Sequence, residues 1–271
     1  MSAENELSLL ATAELKLRET NDPKDQDYAD IIAGVLRLRG TDISCMVNQN
    51  SAPTLRTAER TLDLITIEYK ADPINPVLLS EFNQAFWNAK RQVMGVSESD
   101  LVVTQCSGGQ SRKFFPNDIG LFLPQVVSTA PDGLVLLSKA FPEIGDPVFR
   151  SGAVLNIDKD GNLVNLSGWM GTEKTINAPH LETNEDQAFA VISKNKRLAQ
   201  TLNVYVAAGQ QSKLLTDQYL DEVSTWVRVL SSRIDGKVVY ADFNPDGDCD
   251  VHWLLGSRLV LSSLGVRSVG V

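Results

Sequence analysis

The chain has 271 residues, 43% hydrophobic and 22% charged, with a net charge of −9 at pH 7. That length and composition support a sizeable core and exclude disorder over most of the chain. So acidic a surface repels phosphate backbones, which argues against a protein that coats nucleic acid. The short basic groups Arg37 with Arg39, Lys90 with Arg91, Arg112 with Lys113, and Lys194 with Lys196 and Arg197 read as solvated faces or loops. Met1 to Asn5 is polar and lacks the basic start of a secretory leader. No run approaches the ~20 apolar residues of a membrane span. The expectation is a cytoplasmic or virion protein, not one secreted through a signal peptide. Cys45, Cys106 and Cys249 are odd in number and widely spaced, without a C-x-x-C pair. They read as free thiols rather than disulfides or zinc ligands.

Residues 1–97 read as helical. Leu7, Leu10, Leu15 and Leu17 lie among good helix formers, and Asn21-Asp22-Pro23 breaks that run. From Asp25 to Arg39, the residues Tyr28, Ile31, Ile32, Val35 and Leu38 recur at helical spacing, and Gly40 stops them. Asn48 to Pro53 is a polar loop. Leu55, Leu62, Ile65 and Tyr69 share the face of a third helix. Asn75 then caps a fourth with Pro76 at its first position, and Leu78, Phe82, Phe86, Ala89 and Val93 form its stripe up to Gly95.

The pattern changes near Val96 to Ser99. Short β-prone runs follow at Leu101–Gln105, Gly120–Leu123, Gly133–Leu137 and Val154–Ile157. Ser151 to Trp169 reads as a hairpin turning at Asp160-Gly161. Two helices are expected next, over Asn184–Leu202 and Ser212–Ile234. The second rests on Leu220, Val223, Val227, Leu230 and Ile234, spaced three and four apart. Lys237–Phe243 and Asp248–Leu255 read as a hairpin across Asn244-Pro245-Asp246-Gly247, with a further strand over Arg258–Leu264. The fold class that follows is α+β: a helical region over 1–97, then an antiparallel sheet with two packed helices over 98–271.

One segment carries candidate chemistry. Asp242, Asn244, Asp246, Asp248 and Asp250 place oxygen donors at alternate positions around Gly247. A calcium loop needs this spacing, because alternate side chains converge on one hard cation where a glycine permits the turn. The match to a helix-flanked calcium loop is partial. Trp253 stands where the twelfth-position acid belongs, the flanks are strand-like, and Asn-Pro-Asp-Gly is also an efficient plain turn. Asn156, Asp158, Asp160 and Asn162 alternate similarly and read as a turn. Ser107-Gly108-Gly109-Gln110-Ser111, before Arg112 and Lys113, reads as a loop, since no G-x-x-x-x-G-K-[ST] occurs. His180 and His252 belong to no zinc-hydrolase pattern, and no G-x-S-x-G elbow exists. Glu182 with Glu185 and Asp186, and Asp217 with Asp221 and Glu222, read as acids at helix starts.

Trp253 to Val271 is apolar and holds no acid. Such a segment belongs in the protein's own core or against a neighbour. As an edge strand it would add to a second subunit's sheet and build rings or filaments. The reading favoured by these residues is therefore a coat- or tail-like structural subunit, a homo-oligomer without a membrane span. The alternatives are an enzyme built from scattered acids and a calcium-linked binding module using the 242–250 loop.

Overall fold

The computed structural model describes residues 13–14, 16–17, 23–38, 55–253, 256 and 258–271. Most of the first expected helix, the 48–53 loop and Cys45 lie outside them. The helical region contains α1 (Pro23–Leu38), α2 (Leu55–Ala71) and α3 (Pro76–Met94). Asn75 caps α3 by accepting from the Val77 and Leu78 amides. Gly95 closes it at φ +72°, its N–H donating to the Arg91 and Gln92 carbonyls. Of the expected stripe, Phe82, Phe86 and Ala89 are buried, Leu78 is half-buried and Val93 is exposed, while Leu79 is buried in their company.

After α3 come α4 (Gly108–Phe114), β1 (Asp118–Leu123), α5 (Gln125–Ser128), α6 (Asp132–Ala140), α7 (Val148–Ser151) and β2 (Gly168–Glu173). The chain continues through α8 (Glu185–Lys194), β3 (Leu198–Ala199), α9 (Leu202–Thr216), β4 (Trp226–Ile234), β5 (Lys237–Phe243) and β6 (Cys249–His252). It ends in β7 (Leu264–Val266) and β8 (Ser268–Gly270). This is an α+β fold, with helices leading and sheets following. One sheet has the order β1-β2-β8-β3 and is antiparallel. The other has the order β6-β5-β4-β7, with β4 and β7 parallel. The core runs continuously across residue 97: Phe86 of α3 stacks on Phe141 at 5.7 Å, within a cluster that reaches Val227 and Phe243.

Several expected elements are corrected. The helix over Ser212–Ile234 does not form. α9 ends at Thr216 with Asp217 in the left-handed region, and the apolar residues beyond it build β4. Val227, Leu230 and Ile234 are buried, as expected, but in a strand covered on both faces, while Val223 is 68% exposed. A strand buried on both sides loses its alternation, so its apolar run fits a helical spacing as well. α8 stops at Lys194 rather than reaching Leu202. Gly133–Leu137 is helical within α6, and Leu101 ends a short 3-10 turn instead of opening a strand. Hairpin 151–169 survives only as a single bridge, Ile157 to Leu163, around a turn capped by Asp158, while Leu155 bridges to Arg233 of β4.

The C-terminal segment is corrected in part. Strand structure begins at Leu264, not Arg258. β8 sits between β2 and β3, and Leu264, Val266 and Val269 are buried. β8 is thus enclosed, whereas β7 is the outer strand of its own sheet, and Val260, Leu261 and Val271 of the same segment are exposed. Arg267, between β7 and β8, is fully buried. It donates to both Asp221 carboxylate oxygens (2.8 and 3.0 Å) and to the carbonyls of Glu173, Thr175 and Ile176. The outer strands β1 and β7 are covered in part. Asn83 of α3 donates to the Gly120 carbonyl and accepts from the Phe122 amide, and the Trp87 indole N–H donates to the Phe122 carbonyl, sealing β1. The Val266 amide of β7 donates to the Pro179 carbonyl. Covered edge positions disfavour strand addition there.

Candidate functional site

The β5–β6 hairpin carries the candidate loop. Asn244 donates its amide to the Asp248 carbonyl (2.8 Å), and Gly247 donates to the Asn244 carbonyl (2.9 Å). Gly247 stands at φ +95°, and a Cβ there would meet the Tyr219 hydroxyl at 2.6 Å, so the turn requires glycine. The register pairs Phe243 with Cys249, Asp242 with Asp250, Ala241 with Val251, and Tyr240 with His252. The pleat sends Phe243, Cys249, Ala241 and Val251 into the core, and Asp242, Asp250, Tyr240 and His252 to the other face.

The loop after α6 meets this hairpin. Asp146 accepts from the Val148 amide (2.8 Å) and from the Val251 amide (3.1 Å), which closes the edge of β6. Between them lies an open cleft of about 530 Å³, lined by Glu143, Gly145, Asp146, Pro147, Asp246, Asp248 and Asp250. Three of the five sequence-predicted donors thus face one space. Of the other two, Asn244 holds Asp250 through its amide nitrogen (3.2 Å), and Asp242 sits opposite Asp250 on the neighbouring strand. Glu143 and Asp146 were missed. Their segment, Pro142-Glu143-Ile144-Gly145-Asp146-Pro147, reads as an ordinary turn, and nothing local ties it to a hairpin a hundred residues later.

The electrostatics are one-sided. Among the described residues, none of these carboxylates forms an ion pair with a lysine or arginine. One oxygen of Asp242 and one of Asp248 are out of solvent with no hydrogen-bond donor. Burial pushes the Asp242 carboxyl up to about 7, helped by the charges of Asp250, Asp221 and Asp248. Burial first, then the charges of Asp242, Asp146, Asp248 and Asp250, holds the Cys249 thiol well above its ordinary value, which keeps it unreactive. Among the described residues, no three His, Cys, Asp or Glu side chains are arranged to hold a metal ion directly. What the arrangement does is concentrate negative potential in one concavity.

The remaining candidates have structural partners. His252 stacks on Trp226 at 4.8 Å and lies across the sheet from Cys249. His180 holds a left-handed turn at φ +54°, its carbonyl accepting from Thr183. Glu185 pairs with Arg233 (2.6 Å), Asp221 pairs with Arg267, and Glu222 accepts from the Tyr219 amide. Ser107 and Gln110 form a reciprocal cap on α4, which accounts for the glycine-rich motif.

No family model, curated protein or solved structure matches this chain. The molecule is thus defined by its own geometry: an α+β fold with an acidic cleft at one hairpin. No helix among the described residues is long and apolar enough to cross a membrane.

Proposed function

We propose that the protein is a structural subunit that assembles with copies of itself through side chains of its helical region. The observation that carries this reading is an apolar strip on α1 and α2. Tyr28 is 57% exposed, Leu64 43% and Ile67 66%, and the Arg60 guanidinium lies 6.0 Å from the centre of the Tyr28 ring, bridging the two helices. Apolar side chains gathered at a surface mark contact sites. Strand addition is disfavoured at β1, β6 and β7, where α3, Asp146 and Pro179 cover part of each edge. Light scattering after size exclusion, with electron microscopy of the same fractions, tests the reading. A discrete oligomer, ring or filament is expected. A monomer at high concentration and near-physiological salt would overturn it.

A second reading, a cation-linked binding module, is favoured by the unpaired carboxylates of the cleft. With no direct three-ligand set, an ion there would be held partly through water, as magnesium commonly is. Added calcium or magnesium is then expected to raise the melting temperature. Asp248→Asn should remove most of that rise, while an unchanged wild-type melt in both salts rejects the module.

A further inference from the structure

We infer that the outer face of α2 is a self-complementary docking surface, which joins two copies antiparallel about a two-fold axis. This rests on the assembly reading above. Leu64 and Ile67 stand three residues apart on one face, as the a and d positions of a coiled-coil seam. Asp63 and Lys70, both exposed, flank that seam one heptad apart, on the same side. Neither takes part in an ion pair among the described residues.

A two-fold contact must be complementary to itself, since each residue i that meets j is matched by j meeting i. In the antiparallel arrangement Leu64 of one copy packs on Ile67 of the other. Asp63 of each copy then faces Lys70 of the other, giving two opposite-charge pairs for one pair of positions. The parallel arrangement instead sets Asp63 against the second copy's Glu68, two carboxylates, and is disfavoured. The charges choose the orientation and the apolar pair supplies the contact. Because this contact closes on itself, it yields a dimer, and any larger particle would be built from that dimer through other surfaces.

The experiment uses the full chain. Its dimer dissociation constant is measured by sedimentation at near-physiological salt for the wild type and three variants. Lys70→Glu turns both pairs repulsive and is expected to weaken the dimer about tenfold or more. D63K/K70D exchanges the charges and is expected to restore affinity to within about threefold of the wild type. Leu64→Asp is expected to abolish the dimer. All three positions are exposed, so melting temperatures that match the wild type will show that each variant is folded. A wild type that stays monomeric overturns both this contact and the assembly reading. An oligomer indifferent to Leu64→Asp overturns this contact and leaves the assembly reading standing. Loss with Leu64→Asp but no response to the charge variants overturns the antiparallel register.

Discussion

Replacing Arg267 with alanine is expected to cost about 3–5 kcal/mol of folding stability, enough to unfold many domains of this size. The side chain is inaccessible to solvent, as is its partner Asp221. Its guanidinium is shared among one carboxylate and three backbone carbonyls, from Glu173, Thr175 and Ile176. Truncation leaves the Asp221 charge buried with the Tyr205 and Thr225 hydroxyls as its remaining donors. It also removes the guanidinium donor from the Glu173, Thr175 and Ile176 carbonyls, of which Ile176 still accepts from the Asp221 amide, and a buried group left unmet carries its own desolvation cost. Chemical denaturation measures the loss. Asp221→Asn in the same background tests the cause: once the guanidinium is gone, neutralising the stranded carboxylate should recover part of the stability. If the double variant is as weak as the sum of the two single ones, the pair does not act as a unit.

Asp242→Asn is expected to stabilise the protein by about 2 kcal/mol at pH 8 and to change little near pH 3.5. The folded-state carboxyl titrates near 7, above its ordinary value of 3.8, because the hairpin takes it partly out of water beside Asp250. A group whose pKa rises on folding binds its proton more tightly in the folded state. Stability therefore falls as pH rises from about 4, where the unfolded chain ionises. The full loss is reached above about 7, where the folded state ionises too. The magnitude is set below the full value of the shift because the side chain is only partly buried, so water screens some of the penalty. The amide variant does not titrate and should show a flatter profile across that window. Melting curves of the two proteins at a series of pH values decide the matter, and parallel profiles would mean that Asp242 is ionised at no cost.

The local signals in the chain were sufficient for the elements whose stability is local. Asn75-Pro76 and Gly95 bracket α3 because the cap and the left-handed stop are made within a few residues. Asn244-Pro245-Asp246-Gly247 fixes the β5–β6 hairpin for the same reason, and with it the alternation that brings Asp246, Asp248 and Asp250 to one cleft. The α+β class follows from the change in hydrophobic period near residue 97. What tertiary structure decided is everything set by long-range burial. β4 is a strand because neighbours cover both its faces, a fact absent from the spacing of Val227, Leu230 and Ile234. The last strand, β8, is internal because β2 and β3 flank it and Asp221 meets Arg267, while β7 just before it stays at a sheet edge. Apolarity alone cannot say whether such a segment is covered by its own chain or by another. Glu143 and Asp146 join the acidic cleft through the packing of a turn against an edge strand. Sequence proximity carries no trace of that contact, because its partners are brought together by the collapse of the core between them.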